Sequence, residues 1–371
     1  MSAAPTAVLN QAFHGSYLPE ETTFLLRGLQ MTATPLQERE RLIQSGSRHY
    51  SELIGPEDAP TRERLRLFRE CLENNGRQLA QDTMDLASAL AESAHEGEVT
   101  ITSIARAGTP IGALLWHLLK KSRPDLRVYH YSISVIRDRG ADFAALRWIQ
   151  ERHAAESIRF VDGWTGKGTI ATELRESLST KPDLAVIDPG LWTPLDVCGA
   201  ARYSPNARDY LIPSTLLGGT ISGLVSRSVL PRGEEDTGVW HGSVELSHLR
   251  RYDLTRWFLR TMLTLCENYS AAFPAPPNAS GGKVRYELAH AFLDTLEAEH
   301  GVASRNQIKL GIGETVRVLL RRLPKIVLLS PDAHEQDAEL IRRLAALRNV
   351  PVQAQIMPFA AVALIANVAL P

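Results

Sequence analysis

The fold of this chain is decided by the stretch Ile158-Arg-Phe-Val-Asp-Gly-Trp-Thr-Gly-Lys-Gly-Thr-Ile-Ala-Thr-Glu-Leu174. A hydrophobic strand is predicted to end at Asp162, and a loop rich in Gly, Thr and Lys leads into a helix that begins near Thr169. Glycines permit positive φ, so successive N–H groups can converge on one anion. The positive end of the helix points into the same space. The stretch therefore predicts a phosphate-binding loop between a strand and a helix.

Two standard nucleotide motifs do not fit this loop. Lys167 is followed by Gly168, whereas a Walker loop places Ser or Thr there, and the glycines at 163, 166 and 168 do not match the dinucleotide fingerprint. An ordinary glycine-rich turn without a ligand stays open as an alternative. The single acid, Asp162, favours sugar hydroxyls or a Mg²⁺ ion that the phosphate also binds. The expected ligand is therefore a sugar phosphate or a metal-bound diphosphate.

The surrounding sequence predicts an α/β fold with a parallel sheet. Strands near 99–104, 128–136, 158–162 and 184–188 alternate with helices near 111–121, 141–154 and 169–178. Basic residues follow two of these strands, namely Arg106, then Arg137 and Arg139. Because the carboxyl ends of parallel strands share one edge, these arginines are expected near the phosphate loop. Asp188 follows the last predicted strand, where it contacts an acceptor or Mg²⁺, or caps a turn.

The phosphate loop resembles the diphosphate-sugar motif of type I phosphoribosyltransferases, with Gly163 in place of that family's second acid. Arg106-Ala-Gly-Thr109 resembles the pyrophosphate loop, and the two arginines near 138 resemble the mobile basic loop. The resemblance implies a catalytic group of Asp162, Lys167 and Arg106. It implies substrate contacts from Ala107, Gly108, Thr109, Arg137, Arg139, Gly163, Thr165, Gly166, Gly168, Thr169 and Asp188, with Mg²⁺ as cofactor.

The whole chain resembles a bacterial family in which a phosphoribosyltransferase-like domain is fused to a Pelota-type RNA-binding domain. Members belong to tellurium-resistance and stress-response gene clusters and are also described as cysteine protease StiP-like. The loop 162–169 and the stretches 103–110 and 209–227 support this resemblance. It implies a pentosyltransferase, a glycosyltransferase acting on phosphoribosyl diphosphate or a nucleotide-like substrate. Two alternatives stay open: a cysteine protease using Cys198, with His130, His241 or His248 as partner, and a non-catalytic nucleotide- or RNA-binding regulator.

The last ninety residues predict a small second α/β unit. A glycine-containing turn starts a helix with spaced cations, followed by a strand at 325–329, an acidic helix at 335–347 and a strand at 351–355. The unit resembles the fold shared by Pelota and kink-turn-binding ribosomal proteins. That resemblance implies RNA contacts from Lys309, Gly311, Gly313, Glu314, Arg317 and Arg321. The alternative is that the arginines form the solvated face of an amphipathic helix.

Length and composition limit the remaining possibilities. A chain of 371 residues suits two or three domains. We expect a helical segment at 1–95 that acts as a hood, a phosphoribosyltransferase-like domain at 96–270, a linker at 271–283 and a Pelota-like domain at 284–371. The formal net charge of −1 means that any RNA binding must come from a local patch.

The three cysteines and the hydropathy pattern give further expectations. Cys71, Cys198 and Cys266 are far apart in the sequence and lack Cys-x-x-Cys spacing, which argues against disulfides and zinc. No metal ligand is assigned to the protein except Asp188 as one option. Since no stretch approaches the ~20 apolar residues of a membrane span, no membrane partner and a cytoplasmic location are expected. Assembly into a homo-oligomer is left open.

Overall fold

A computed structural model of the chain describes residues 10–268, 282–302 and 304–367. The helices of its first part are α1 (Leu36–Gln44), α2 (Arg62–Glu92), α3 (Gly108–Ser122), α4 (Phe143–Gln150), α5 (Thr169–Ser179) and α6 (Thr255–Asn268). The strands there are β1 (Thr23–Phe24), β2 (Arg27–Gly28), β3 (Glu98–Ile104), β4 (Arg127–Ile133), β5 (Val135–Ile136), β6 (Gly140–Ala141), β7 (Ile158–Val161), β8 (Leu191–Trp192) and β9 (Gly242–Ser243). The predicted linker lies almost wholly outside the described residues.

A five-stranded parallel sheet organises this part, with the order β1-β4-β3-β7-β8. Every neighbouring pair in it is parallel, so the predicted α/β class with a parallel sheet is confirmed. Its apolar strands are buried between helices, as parallel strands usually are. The phosphate-loop sequence follows β7, and α5 begins after Gly168, which has a φ of +79°. The strand–loop–helix unit therefore forms as predicted.

The strand predicted at 184–188 is wrong. The chain there forms turns, in which the amides of Leu184 and Ala185 both donate to the carbonyl of Lys181. Leu184 is buried, but Val186 is 62% exposed, so this apolar run packs on one side only. The sheet instead takes the short strand β8, which pairs in parallel with β7.

The N-terminal segment is dominated by the 31-residue helix α2. The side chain of Thr61 caps it by accepting a hydrogen bond of 3.1 Å from the amide of Arg64. Residues 23–24 add strand β1 to the edge of the parallel sheet, next to β4, which the sequence did not predict. This segment therefore belongs to the same folded body as the sheet.

The C-terminal unit contains α7 (Gly282–His300), β10 (Ile308–Leu310), α8 (Ile312–Arg321), β11 (Pro324–Leu329), α9 (Glu335–Ala346), β12 (Val352–Ala354) and β13 (Ala361–Ile365). Its sheet has the order β10-β13-β11-β12. Strand β13 pairs in antiparallel fashion with both neighbours, whereas β11 and β12 are parallel. The central strand β13 was missed from the sequence.

The two parts share one hydrophobic core. A single cluster of buried side chains includes Leu79 of α2 and Leu211, together with Ile312, Val316 and Leu319 of α8. Buried polar contacts add to it, because Asn75 of α2 donates a hydrogen bond of 2.8 Å to Asp337 of α9. This packing holds α8 at the carboxyl edge of the parallel sheet.

Candidate functional site

A large cleft lies at that edge, between the loops that follow β3, β5 and β7 and the helix α8 of the C-terminal unit. Its described lining contains thirteen arginines and lysines but six aspartates and glutamates. The chain as a whole has a formal net charge of −1. The positive charge of the molecule is thus concentrated in the cleft, which favours anions.

Two glycine-containing loops meet at the floor of the cleft. A Cβ added to Gly163 would lie 2.8 Å from the carbonyl oxygen of Ala107, closer than real Cβ contacts allow. Gly108 is equally confined, since its added Cβ would lie 3.0 Å from the Cα of Asp162. The contact between the loops therefore excludes a second carboxylate at position 163.

Asp162 is buried beside these loops, with 8% of its surface exposed. Its Oδ1 accepts a hydrogen bond of 2.7 Å from the amide of Gly163. Burial raises the pKa of Asp162 to about 7, despite this bond and the nearby charge of Arg317. Near neutral pH the group therefore exchanges between a carboxylic acid and a carboxylate.

The threonines predicted to contact substrate are held differently from one another. Thr165 donates to Asp196 Oδ1 over 2.9 Å and is buried. Thr109 is fully buried, and its hydroxyl bonds that of Ser132 over 2.7 Å. Thr169 begins α5 and lines the cleft. Thr165 lines the cleft as well, but its hydroxyl is engaged with Asp196, so Thr169 is the more available of the two.

The basic residues predicted near the loop do reach the cleft. Lys167 Nζ donates to the carbonyl of Arg305, and burial together with Arg137 lowers the pKa of Lys167 to about 8. The guanidinium of Arg137 lies 4.9 Å from the centre of the Tyr50 ring, and Arg139 pairs with Glu52 at 2.9 Å. These side chains are partly occupied by protein partners.

Asp188 is not brought to this site. It is exposed, it does not line the cleft, and its Oδ1 accepts a hydrogen bond of 2.9 Å from the amide of Gly190. Asp188 was expected to contact an acceptor, to contact Mg²⁺ or to cap a turn, and in the structure it caps a turn.

Four of the six residues predicted to contact RNA border the cleft. Trp164 of the phosphate loop donates from Nε1 to Glu314 over 3.3 Å, and Arg317 lies 5.7 Å from the centre of the same ring. Lys309, Glu314, Arg317 and Arg321 all line the cleft. Gly313 packs against Trp164, whereas Gly311, with a φ of +90°, starts α8 where Asp209 accepts the amide of Ile312 over 2.9 Å. The C-terminal unit thus forms a wall of the cleft.

Several cleft residues were missed from the sequence. Arg39, Arg64 and Glu57 lie in the predicted hood and line the same cleft. Arg106 Nη2 pairs with Glu57 Oε1 at 2.6 Å, and Arg106 Nη1 donates to the carbonyl of Val225 over 2.7 Å. Arg39, Arg64 and Glu57 could be identified only from their positions in the folded chain, because their local sequences contain no motif.

Cys198 lies behind the phosphate loop and is fully buried. A Cβ added to Gly168, which lines the cleft, would lie 3.6 Å from the Cys198 sulfur. Asp196 Oδ1 lies 3.6 Å from that sulfur and accepts the amide of Cys198 over 3.1 Å. Burial and the Asp196 charge raise the pKa of the thiol to about 12.

The histidines proposed as partners of Cys198 are bound elsewhere. His130 contacts Ser103, His241 contacts Ser134, and His248 contacts the carbonyl of Glu57. The structure brings none of these three described histidines into hydrogen-bonding contact with Cys198. His290 of α7 is connected to the same region through Tyr286, because its ring packs 4.2 Å from the ring of Tyr286, which lies beside Gly168.

The donor set does not fit a metal held by the protein. Within the described ranges, no group of three or more His, Cys, Asp or Glu side chains is arranged to hold an ion. Asp162 is the lone carboxylate at the tip of β7, and position 163 has no room for a second. Binding of Mg²⁺ together with a phosphate ligand stays a prediction.

Comparisons with known proteins identify the family. Residues 15–263 match the model of "Tellurite-like stress resistance cysteine protease StiP". The chain belongs to this family. Residues 287–367 match the PELOTA RNA binding domain. A curated relative, "Cysteine protease StiP" of Acinetobacter baylyi, is 38% identical over 374 residues, which cover 98% of this chain and 96% of the relative.

These matches correct the predicted activity. The family and the relative are named as cysteine proteases, so the prediction of a phosphoribosyltransferase, a glycosyltransferase acting on phosphoribosyl diphosphate, is wrong. The similarity of the two loops to transferase motifs reflects how parallel sheets bind anions, which does not determine the reaction. In the described part of the chain, no helix is long and apolar enough to cross a membrane.

Proposed function

We propose that the cleft binds the phosphate backbone of RNA. The observation that supports this most strongly is the excess of cations over carboxylates in the lining, in a chain that is otherwise slightly acidic. RNA is the class of polyanion that the matched PELOTA RNA binding domain favours. Phosphate contacts supply most of the affinity of such complexes.

The electrostatics of the cleft support this proposal. Burial among other cations lowers the pKa of Lys309 to about 7 and that of Arg321 to about 9. Groups with lowered pKa values gain from a bound anion, because the anion offsets the repulsion between them. Arg321 makes no side-chain hydrogen bond or ion pair with the described residues, so it is available to a ligand.

The test is RNA binding by the full-length chain, measured by fluorescence anisotropy over a series of salt concentrations. We expect Arg321→Gln to weaken binding and to reduce the salt dependence by about 0.7 to 0.9 in the log–log slope, as for one lost phosphate contact. The matched control is Arg342→Gln on α9, an exposed arginine that pairs with Glu335 at 2.8 Å and does not line the cleft.

The control variant should bind RNA like the wild type. Equal loss of affinity in both variants would mean that RNA does not enter the cleft. Absence of any salt-dependent binding by the wild type would remove the proposal altogether.

A second candidate function is cysteine proteolysis, as the name of the curated relative states. Cys198 is favoured as the nucleophile, because its sulfur adjoins the cleft at Gly168. Cys71 on α2 is instead buried against the carbonyl of Leu211, and Cys266 is buried against Ala80 of α2. Its thiolate would attack a peptide carbonyl and release an amine, and water would then hydrolyse the thioester. His290 supports a base role, since its Nε2 is buried without a hydrogen-bond partner among the described residues.

The conformation described does not activate this thiol, because Asp196 and burial both favour the protonated form. Proteolysis would require a rearrangement that exposes Cys198 and separates it from Asp196. The test is cleavage of labelled casein by the wild type and by Cys198→Ala, Cys71→Ala and Cys266→Ala. Loss of cleavage in Cys198→Ala alone supports the candidate, whereas retained cleavage in that variant excludes this nucleophile.

Location and context are part of the proposal. We propose a cytoplasmic protein that acts during stress, which the family's description and the absence of a membrane-spanning helix in the described ranges support.

A further inference from the structure

One ion pair and the electrostatic influence of Glu57 on four further arginines mark a cationic group on the hood side of the cleft. Glu57 pairs directly with Arg106, and its charge also acts on the guanidinium groups of Arg39, Arg64, Arg227 and Arg321. Arg106 is buried, with 8% of its surface exposed. We name this group the Glu57 pocket. Glu40 also acts on Arg39 and Asp58 also acts on Arg64, so five guanidinium groups face three carboxylates and the pocket stays positive.

The atoms around Glu57 are arranged as they would be around a bound anion. Glu57 Oε2 accepts a hydrogen bond of 3.4 Å from the amide of Gly219. A Cβ added to Gly218 would lie 2.5 Å from Arg321 Nη2, 3.0 Å from Arg106 Nη2 and 3.4 Å from Glu57 Oε2. Glu57 is thus held by the Arg106 guanidinium and the Gly219 amide, and Arg321 Nη2 adjoins the same glycine, which is a set of donors that also suits phosphate.

Unused donors remain in the pocket. Arg64 Nε is buried and has no hydrogen-bond partner among the described residues. The half-buried Arg321 side chain makes no hydrogen bond or ion pair there. Buried donors without acceptors are costly, so they indicate a missing partner. Glu57 lies outside the helices, between residue 53 and the start of α2, so it can move aside without disrupting one.

We propose that the Glu57 pocket is a subsite for a terminal phosphate and that Glu57 occupies it until the ligand arrives. This proposal rests on RNA binding in the cleft and adds where the end of the ligand lies. A phosphate monoester carries about two negative charges at neutral pH, whereas a phosphodiester within a chain carries one. Displacing the single charge of Glu57 is thus favourable for a terminal phosphate and roughly neutral for an internal one.

The test compares two RNAs of identical sequence, one with a 5′-phosphate and one with a 5′-hydroxyl, and inorganic pyrophosphate as a free small anion. We expect the wild type to prefer the phosphorylated RNA by about tenfold, as for one charge-assisted hydrogen bond. Arg321→Gln should lose this preference. Glu57→Gln should raise the affinity for the phosphorylated RNA, because the internal competitor is gone.

The outcomes separate this proposal from the one on RNA binding. RNA binding without a preference for the 5′-phosphate, unchanged in Glu57→Gln, would overturn the subsite and leave RNA binding intact. Binding of pyrophosphate alone, weakened by Arg321→Gln, would keep the subsite and assign it to a free phosphate compound. Binding of none of the three would overturn both. If Glu57→Gln does not fold, Arg321→Gln still tests the subsite. The Arg321 side chain makes no hydrogen bond in the described structure, so its replacement removes none.

Discussion

Replacing Asp162 by Asn should stabilise the protein increasingly as the pH rises. Burial raises the pKa of Asp162 from 3.8 to about 7 in the folded chain. Between these values the folded state binds one proton more than the unfolded state, so the stability of the wild type falls as the pH rises. Asn cannot ionise, and its side-chain oxygen can still accept the amide of Gly163.

The size of the effect follows from that interval. Within this interval, each pH unit changes the free energy of unfolding of the wild type by ~1.4 kcal/mol. The interval spans about three pH units, so the stability advantage of Asp162→Asn should approach 4 kcal/mol near pH 8. The advantage should vanish near pH 4. The assay is urea unfolding of both proteins at several pH values. Other buried acids, such as Asp209, affect both proteins equally and cancel in the difference.

Asp183→Asn is the matched control. The hydrogen bond from Arg147 lowers the pKa of this exposed aspartate, so its contribution to stability is present above the unfolded value and lost as the pH falls. Its replacement should therefore destabilise slightly near pH 8, with the opposite sign. A difference between wild type and Asp162→Asn that stays constant with pH would refute the reasoning.

Four other outcomes are expected. RNA binding by the wild type should weaken between about pH 6 and 8 more than that of Asp162→Asn, measured by anisotropy, because an ionised carboxylate repels phosphate. Gly163→Asp should destabilise by about 1–3 kcal/mol in chemical denaturation instead of creating a sugar site, since its Cβ would meet the carbonyl of Ala107. Cys198 should resist iodoacetamide in the folded chain and react after unfolding, as peptide mapping would show. Asp209→Asn should cost about 1–3 kcal/mol of unfolding free energy near pH 5, because one of two backbone amides loses its acceptor. This cost should shrink or reverse toward pH 8, because burial raises the pKa of Asp209 to about 7 and the wild type itself loses stability there.

Local sequence was sufficient for the elements around the phosphate loop. The strand, the glycine-rich loop and the helix over 158–179 depend on neighbouring residues, namely an apolar run and a glycine that adopts positive φ. The strand prediction at 184–188 was wrong because apolar character alone does not distinguish a strand from a turn with one buried side. Strand β1 was not predicted because two residues are too few to show the alternation of apolar and polar side chains that marks a strand.

The composition of the cleft required distances that no local pattern contains. Glu57, Arg106, Gly219 and Arg321 come from four separated segments and meet only in the folded chain. The reaction could not be predicted from the loop motif either, because loops that bind phosphate at the edge of a parallel sheet occur in proteins with many different activities. Four of the predicted RNA residues lie on α8, whereas Lys309 lies on β10 and Gly311 precedes the helix, and the sequence did not show that α8 borders the cleft.

The inward position of α8 determines how RNA binding must be measured. Ile312, Val316 and Leu319 belong to the same buried cluster as Leu79 and Leu211, so separating the C-terminal unit would expose apolar surface. It would also remove Trp164 from Glu314 and open one wall of the cleft. An isolated C-terminal fragment that fails to bind RNA would therefore say nothing about the intact site. A fragment that binds as tightly as the full chain, with the same salt dependence, would show that the outer surface suffices and that the cleft is not the RNA site.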